Sequence, residues 1–217
     1  MPSTPSGDDA VRRRFHSLIS VSRETEERLS TFVQLLKRWQ AVTNLVSKQT
    51  LKDVWTRHIA DSAQLLDLSP QATRWVDIGS GAGFPGIVMA IRLIGIEDAM
   101  VHCIESDRRK CAFLREAVRA TGAPAHIHAQ RAETVRLIDT PGIQAVTARA
   151  FAPLASTIRL ATPWLARGAA GFFPRGRSAR KELESLGAIQ DYSIQLFPSV
   201  VDRDSTIIAM RRKVHET

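Results

Sequence analysis

The chain has 217 residues and a mass of 24.0 kDa, enough for one substantial domain or one domain with a small helical addition, and a tight fit for two full domains. At 44% hydrophobic and 24% charged it can bury a core; no apolar run approaches the ~18 residues of a membrane span, and the opening MPSTPSGDDAVRRRF has no secretory apolar segment, so a cytoplasmic location is expected. Two cysteines, Cys103 and Cys111, exclude a disulfide framework and a cysteine-only metal site, and the net charge of +8 suits a polyanionic partner such as nucleic acid without requiring one.

Residues 1–10 lack apolar periodicity and are expected to form a disordered tail. A helical region is predicted over 11–68. Ser22 serves as an N-cap there, with Glu24, Glu26 and Glu27 in the first turn and Leu29, Phe32, Val33, Leu36 and Trp39 at helical spacing. A second amphipathic stretch aligns Leu51, Val54, His58, Ile59, Ser62 and Leu65. From about residue 69 to the end the pattern changes. Short apolar runs at 75–78, 100–105, 125–130, 145–149 and 169–173 alternate with helical stretches at 85–94, 107–120, 154–166 and 178–186. That alternation predicts βαβ units and a parallel, Rossmann-like α/β sheet. The last two runs, 193–197 and 206–210, are joined by a loop too short for a parallel crossover, so an antiparallel hairpin should complete a seven-stranded, mostly parallel sheet.

The most informative local segment is Val76-Asp77-Ile78-Gly79-Ser80-Gly81-Ala82-Gly83-Phe84-Pro85-Gly86. It leaves the first strand and enters a helix, with Pro85 in the first turn. Alternating glycines let the backbone turn sharply and let a ligand approach without Cβ interference. Residues 81–86 match the dinucleotide fingerprint G-x-G-x-x-G, but the frame that starts at the strand end is G-x-G-x-G, with Asp77 two residues earlier. The latter resembles motif I of the S-adenosylmethionine methyltransferases, where an acidic residue before the loop suits the cationic amino-acid end of the ligand. Glu105 ends the second strand 26 residues after Gly79 and can accept hydrogen bonds from ribose hydroxyls, a role common to nicotinamide and methionine-nucleoside sites. Three readings stand at this level: a methyltransferase, a nicotinamide-dependent oxidoreductase and a non-enzymatic RNA-binding protein.

Four separated segments narrow the choice. Arg38-Trp39-Gln40-Ala41-Val42-Thr43-Asn44-Leu45-Val46-Ser47, Arg57-His58-Ile59-Ala60-Asp61-Ser62, the loop from Asp77 to Gly86, and Ala148-Arg149-Ala150-Phe151-Ala152 resemble, in order, motifs of one family, from about residue 25 to 212. That family is RsmG (GidB), the bacterial 16S rRNA guanine-N7 methyltransferases. The resemblance implies a class I methyltransferase fold, S-adenosylmethionine as methyl donor, S-adenosylhomocysteine as product, and N7 of one guanine, conventionally guanine 527, as acceptor. The implied partner is 16S rRNA, the small ribosomal subunit or its precursor, with no membrane and no metal. Carried over residue by residue, Gly79, Gly81, Gly83 and Phe84 sit against the cofactor, Glu105 at its ribose, and Ala132 and Glu133 beside the adenine. Arg149, at the end of the fourth strand, sits at the methyl-transfer face, and Asn44, His58 and Arg175 are candidates for contact with the substrate. Two places depart from the family pattern: Pro174-Arg175-Gly176 replaces Leu-Lys-Gly, and no Gly-Glu-Arg occurs near Asp202–Asp204, where Arg203 is the nearest match.

Guanine N7 carries a lone pair and no proton, so no general base is expected and Arg149 should act by positioning. Arginine is the usual partner of guanine O6, and Arg149, then Arg175, are the candidates for that contact. His58 lies on an apolar helical stripe and reads equally well as a core histidine, with Asp61 placed to cap or orient it. Trp39, Trp55, Trp75 and Trp164 read as core residues and the two cysteines as buried small residues. Basic clusters occur at 12–14, 108–110, 175–181 and 211–213, and the second is placed to flank a crevice at the strand ends.

Overall fold

Five parallel strands form the heart of the molecule in a computed structural model that describes residues 7–135, 142–186 and 190–213. They are β1 (Arg74–Ile78), β2 (Met100–Glu105), β3 (Ala125–Ala129), β4 (Ala145–Thr147) and β5 (Ala170–Arg175), with β6 (Tyr192–Pro198) and β7 (Thr206–Arg212) following. The sheet order is β3-β2-β1-β4-β5-β7-β6. β7 lies between β5 and β6 and runs antiparallel to both, which meets the expectation of a seven-stranded sheet closed by a hairpin. The order reverses between β1 and β4. In an open α/β sheet that reversal opens a crevice at the carboxyl ends of the strands.

The helices are α1 (Gly7–Leu18), α2 (Arg23–Gln40), α3 (Lys48–Lys52), α4 (Asp61–Leu68), α5 (Gly86–Arg92), α6 (Arg108–Thr121), α7 (Leu154–Leu165) and α8 (Ala179–Ser185). α2 starts as the sequence requires, because the Ser22 hydroxyl accepts the Thr25 N–H and Glu24 and Glu26 occupy its first turn. The helix lays Leu29, Phe32, Val33 and Leu36 into the same core as Trp75 of β1, Ile87 of α5 and Phe113 of α6. The N-terminal helices therefore share one hydrophobic core with a face of the sheet. The opposite face is closed by α7 and α8 through Leu154, Trp164, Leu165 and Ala179 against Val76, Val146 and Phe173. Trp55, Trp75 and Trp164 are buried, as are both cysteines, while Trp39 is half-buried and donates its indole N–H to Glu116 at 2.8 Å.

Four boundaries differ from expectation. The backbone is already helical at Gly7, whereas the apolar periodicity that marks a helix in sequence starts only at Val11; residues 1–6 of the expected tail lie outside the described residues. The second amphipathic stretch is not one helix. α3 and α4 flank a π-helical turn, Val54–Ala60, whose wider winding leaves His58 half-buried while Val54 and Ile59 stay in the core. β4 stops at Thr147, so Arg149 stands in the loop two residues beyond the strand. Pro85 caps α5 from outside its first turn, after a cis Phe84–Pro85 peptide. No helix among the described residues is long and apolar enough to cross a membrane.

Candidate active site

The ends of β1, β2 and β4 surround a cavity of about 410 Å³, a size suited to a nucleoside-sized ligand. The loop after β1 forms its floor. Gly81 has φ +56°, and a Cβ there would find only the Gly79 carbonyl oxygen, at 3.7 Å, so its face is open toward the cavity. Gly79 is confined differently: a Cβ would fall 2.1 Å from the Phe151 ring, which covers the loop from the β4 side. Gly83 does not line the cavity. A Cβ there would strike Ile87 at 2.8 Å and Phe32 at 3.2 Å, so this glycine serves the packing of α5 against α2 rather than the ligand.

Asp77 is also placed differently from expectation. It is fully buried beneath the loop, where its Oδ2 accepts the Gly86 N–H at 3.0 Å, and it does not reach the cavity. A Cβ on Gly86 would lie 2.5 Å from that oxygen, so the glycine allows the carboxyl to brace the start of α5. Burial raises the Asp77 pKa to about 7, with the nearby Ser80 hydroxyl and the Gly86 N–H opposing the rise. Between about 4 and about 7 the folded state therefore binds more protons than the unfolded state, and stability falls as the pH rises through that window. Asp77→Asn is expected to remove this slope. Melting curves of the two proteins at about pH 5 and pH 8 check it: the wild type should lose several degrees relative to the variant, at about 2–4 °C per kcal/mol, and parallel curves would contradict it.

Glu105, at the end of β2, faces the loop. Its Oε2 accepts the Gly81 N–H at 2.9 Å, and its Oε1 accepts the Ser106 and Asp107 N–H groups at 2.8 Å each. Among the described residues the carboxylate is thus oriented by backbone N–H groups. Asp107 then caps α6, taking the Arg109 and Lys110 N–H groups, and the first turn of α6 brings Lys110 to the cavity rim. Of the basic cluster at 108–110, Lys110 is the member that lines the cavity. Ala132 lines it too, from a short 3₁₀ turn after β3; Glu133, one residue on, is exposed and does not, because consecutive residues of that turn point to different sides.

Arg149 organises the other wall. Its guanidinium donates to the Arg57 carbonyl at 2.9 Å, to His58 Nδ1 at 3.2 Å, and pairs with Asp61 Oδ2 at 3.2 Å. Burial disfavours the charged form of Arg149, and Asp61 offsets this most strongly. Asp61 is held in turn by the Ser199 hydroxyl at 2.9 Å and the Gln64 amide at 2.8 Å, both on Oδ1. Asp61 thus orients Arg149, not His58 as its spacing suggested. His58 stacks on Phe84 with centroids 4.7 Å apart and planes 18° from parallel, and both rings line the cavity. Burial, then the charges of Arg149 and Arg57, lower the His58 pKa to about 3, so the imidazole is neutral at physiological pH and accepts at Nδ1. Asn44 is exposed, accepts from Gln40 and misses the cavity; Leu45 and Val46 take that place because Gln40 binds both of their N–H groups and turns the segment inward.

A second cavity of about 300 Å³ adjoins the first, and Arg149 and Ala150 line both. Ala150 holds φ +48°, a conformation that costs a non-glycine residue energy and is tolerated where surrounding contacts enforce it. Arg175, at the end of β5, lines this second cavity and not the first. Gly79, Gly81, Phe84, His58, Glu105, Ala132 and Arg149 thus converge on the first cavity, Arg175 on its neighbour, and Gly83, Glu133 and Asn44 on neither. Sequence reasoning did not single out Phe151, Gln130 or Glu182 as lining residues. Phe151 lies inside the Ala148–Ala152 motif, which was a usable signal; Gln130 and Glu182 carry none.

The residues present fit S-adenosylmethionine: an open glycine cradle at Gly81, a fixed carboxylate at Glu105 and an aromatic wall at Phe84. The comparisons agree. Residues 25–200 match the family described as rRNA small subunit methyltransferase G. A protein of that name from Rhodospirillum centenum is 47% identical over 197 residues, covering 90% of this chain and 88% of the relative. Another from Methylobacterium sp. is 46% identical over 198 residues, covering 91% and 93%. Among solved structures, a Podospora anserina methyltransferase bound to S-adenosylhomocysteine superposes with a TM-score of 0.62 at 12% identity, covering 99% of this chain and 98% of that one. A Bacillus cereus O-methyltransferase, also with S-adenosylhomocysteine, gives 0.60 at 15%, covering 94% and 97%. These two share the Rossmann-like class I methyltransferase fold. Family membership removes the nicotinamide reading. The chain belongs to the rRNA small subunit methyltransferase G family and is an S-adenosylmethionine-dependent methyltransferase.

Proposed function

We propose that this enzyme methylates N7 of a guanine in 16S rRNA, guanine 527 by family resemblance, acting in the cytoplasm on the small subunit or its precursor. The observation that carries this reading is Arg149 standing between two cavities, one suited to the donor and one polar and large enough for a base. The bound cofactor supplies a methyl group on a positively charged sulfur, already activated for displacement. The acceptor nitrogen has no proton to lose, which matches a site whose histidine is neutral and whose carboxylates are engaged with backbone or Arg149. What remains for the protein is alignment and tolerance of moving charge.

Each residue has a task in that scheme. The open face of Gly81 admits the cofactor's backbone-hugging portion. Glu105 has about four acceptor positions, and backbone N–H groups fill three, so it receives one ribose hydroxyl well and must share to receive both. The Ala132 turn borders the adenine end, and Phe84 with His58 forms a flat wall beside the reacting centre. Arg149 is fixed on three sides by Asp61, His58 and the Arg57 carbonyl, so its position changes little when substrate enters, the condition for electrostatic preorganisation.

The test is transfer of labelled methyl from S-adenosylmethionine to 16S rRNA, both naked and within small subunits from cells lacking the enzyme. Borohydride and aniline cleavage, selective for N7-methylguanosine, then locates the product. A single cleavage at the implied guanine is expected in at least one substrate form. Methyl groups at another atom, or none in either form, would overturn the reading.

A further inference from the structure

We propose that the second cavity is the acceptor pocket, in which Glu182 receives the Watson–Crick edge of the target guanine and Arg175 its O6. This rests on the reading of the enzyme as a guanine-N7 methyltransferase and adds to it how the base is chosen. The pocket adjoins the donor cavity across Arg149 and Ala150, and its far side is built from β5, α8 and the segment leading into β7. Two charged groups there are prepared without being consumed. Arg175 is only 9% exposed, feels the charge of Glu182, donates one Nη to Thr157 Oγ1 at 2.7 Å, and leaves its buried Nε with no partner among the described residues. A buried, unpaired N–H of a cation is costly unless a ligand acceptor completes it.

Glu182 supplies the opposite chemistry. Its Oε1 accepts from the Ser178 hydroxyl at 2.6 Å and its Oε2 from the Leu154 N–H at 2.9 Å, so both oxygens are fixed and each keeps a lone pair. The N1–H and 2-amino group of guanine are two parallel donors, the complement of such a carboxylate. They lie on the edge away from N7, with O6 between. A base that turns N7 toward Arg149 and the donor cavity therefore turns its donor edge toward the far side of the pocket. Adenine would present the lone pair of N1 to the same carboxylate and be repelled. Because the Watson–Crick edge is bound by protein, the target guanine is unpaired and out of the stack when it is methylated.

The experiment compares 16S rRNA, or reconstituted small subunits where these are the better substrate, carrying guanosine or inosine at the target position. Inosine keeps N7, O6 and N1–H but lacks the 2-amino group. The wild type is expected to methylate guanosine with a kcat/KM at least tenfold above inosine. In Glu182→Gln activity on guanosine falls at least thirtyfold and the preference shrinks toward unity, with S-adenosylmethionine affinity unchanged by calorimetry. Equal rates of the wild type on guanosine and inosine would overturn the proposal, as would a Glu182→Gln protein that retains the wild-type preference. Because Glu182 also caps α7, a melting curve accompanies the variant; if it does not fold, the wild-type comparison decides. Absence of N7 methylation of guanosine by the wild type would instead defeat the underlying reading.

Discussion

Gly81→Val is expected to abolish methyl transfer by weakening S-adenosylmethionine binding at least a hundredfold, while the protein remains folded. Two effects act together. The residue sits at φ +56°, where a β-branched side chain is strained by about 1–2 kcal/mol or more. Gly81 lines the first cavity, and apart from its chain neighbours no atom of the described residues comes closer to its Cβ position than 3.7 Å, so the new methyl groups take the space of the ligand rather than colliding with the core. Calorimetric titration measures the binding loss and a melting curve the fold; retained affinity would contradict the role of the loop. Gly83→Ala makes the informative contrast. Its Cβ meets Ile87 and Phe32, so it should lower the melting temperature first.

Arg149→Ala should cut methyl transfer by about 10²–10³-fold, the range seen when one preorganised electrostatic contact is lost. It is not a clean probe of chemistry alone, because Asp61 would lose its cation in a mostly buried setting; a stability loss of about 1–3 kcal/mol is expected, below the full penalty for a broken buried pair, since Oδ1 keeps Ser199 and Gln64. Arg149→Lys separates the two effects. An ammonium can still neutralise Asp61, but it lacks the planar fork that reaches the Arg57 carbonyl, His58 Nδ1 and Asp61 together. The lysine variant should therefore keep most of the stability and lose most of the activity. Single-turnover methylation and thermal unfolding on the same samples measure both. If activity and stability fell in proportion across the two variants, Arg149 would be a structural residue only.

How much of this was legible in the sequence depends on the range of the interaction involved. Ser22, Asp107 and the alternating apolar runs act locally, and the elements they predict are present with boundaries shifted by a few residues. The loop from Asp77 to Gly86 was legible as a tight glycine turn at the strand end, where part of it lines the first cavity, because glycine spacing is a local constraint. The division of labour within it was not, since whether a glycine faces ligand or packing depends on Phe32, Ile87, Cys103 and Phe151, which arrive from elsewhere in the chain. The π-helical turn escaped for a related reason: its apolar stripe is that of an ordinary helix, and only contacts with Arg149 show which way His58 is turned. Asp61 was visible in its motif, yet two of its partners, Arg149 and Ser199, lie 88 and 138 positions away. Glu182 had no signal at all, because an acidic residue on a short amphipathic helix is ordinary until the end of β5 is placed beside it.

The late strand pair carries a consequence for how this protein comes into being. β7 pairs with β5 only after the chain has passed it and turned back at β6, and the tip of that hairpin supplies Ser199 to Asp61 and the Val200 N–H to Gln64, contacts spanning 138 and 136 residues. During vectorial synthesis the first cavity, built from β1, β2 and β4, is complete in sequence well before the second, whose wall includes Ser199, Ser205 and Thr206. A chain clipped before β7 is therefore expected to lose the far wall of the second cavity and, with it, the buried Ile207, Ile208 and Met210 of the core.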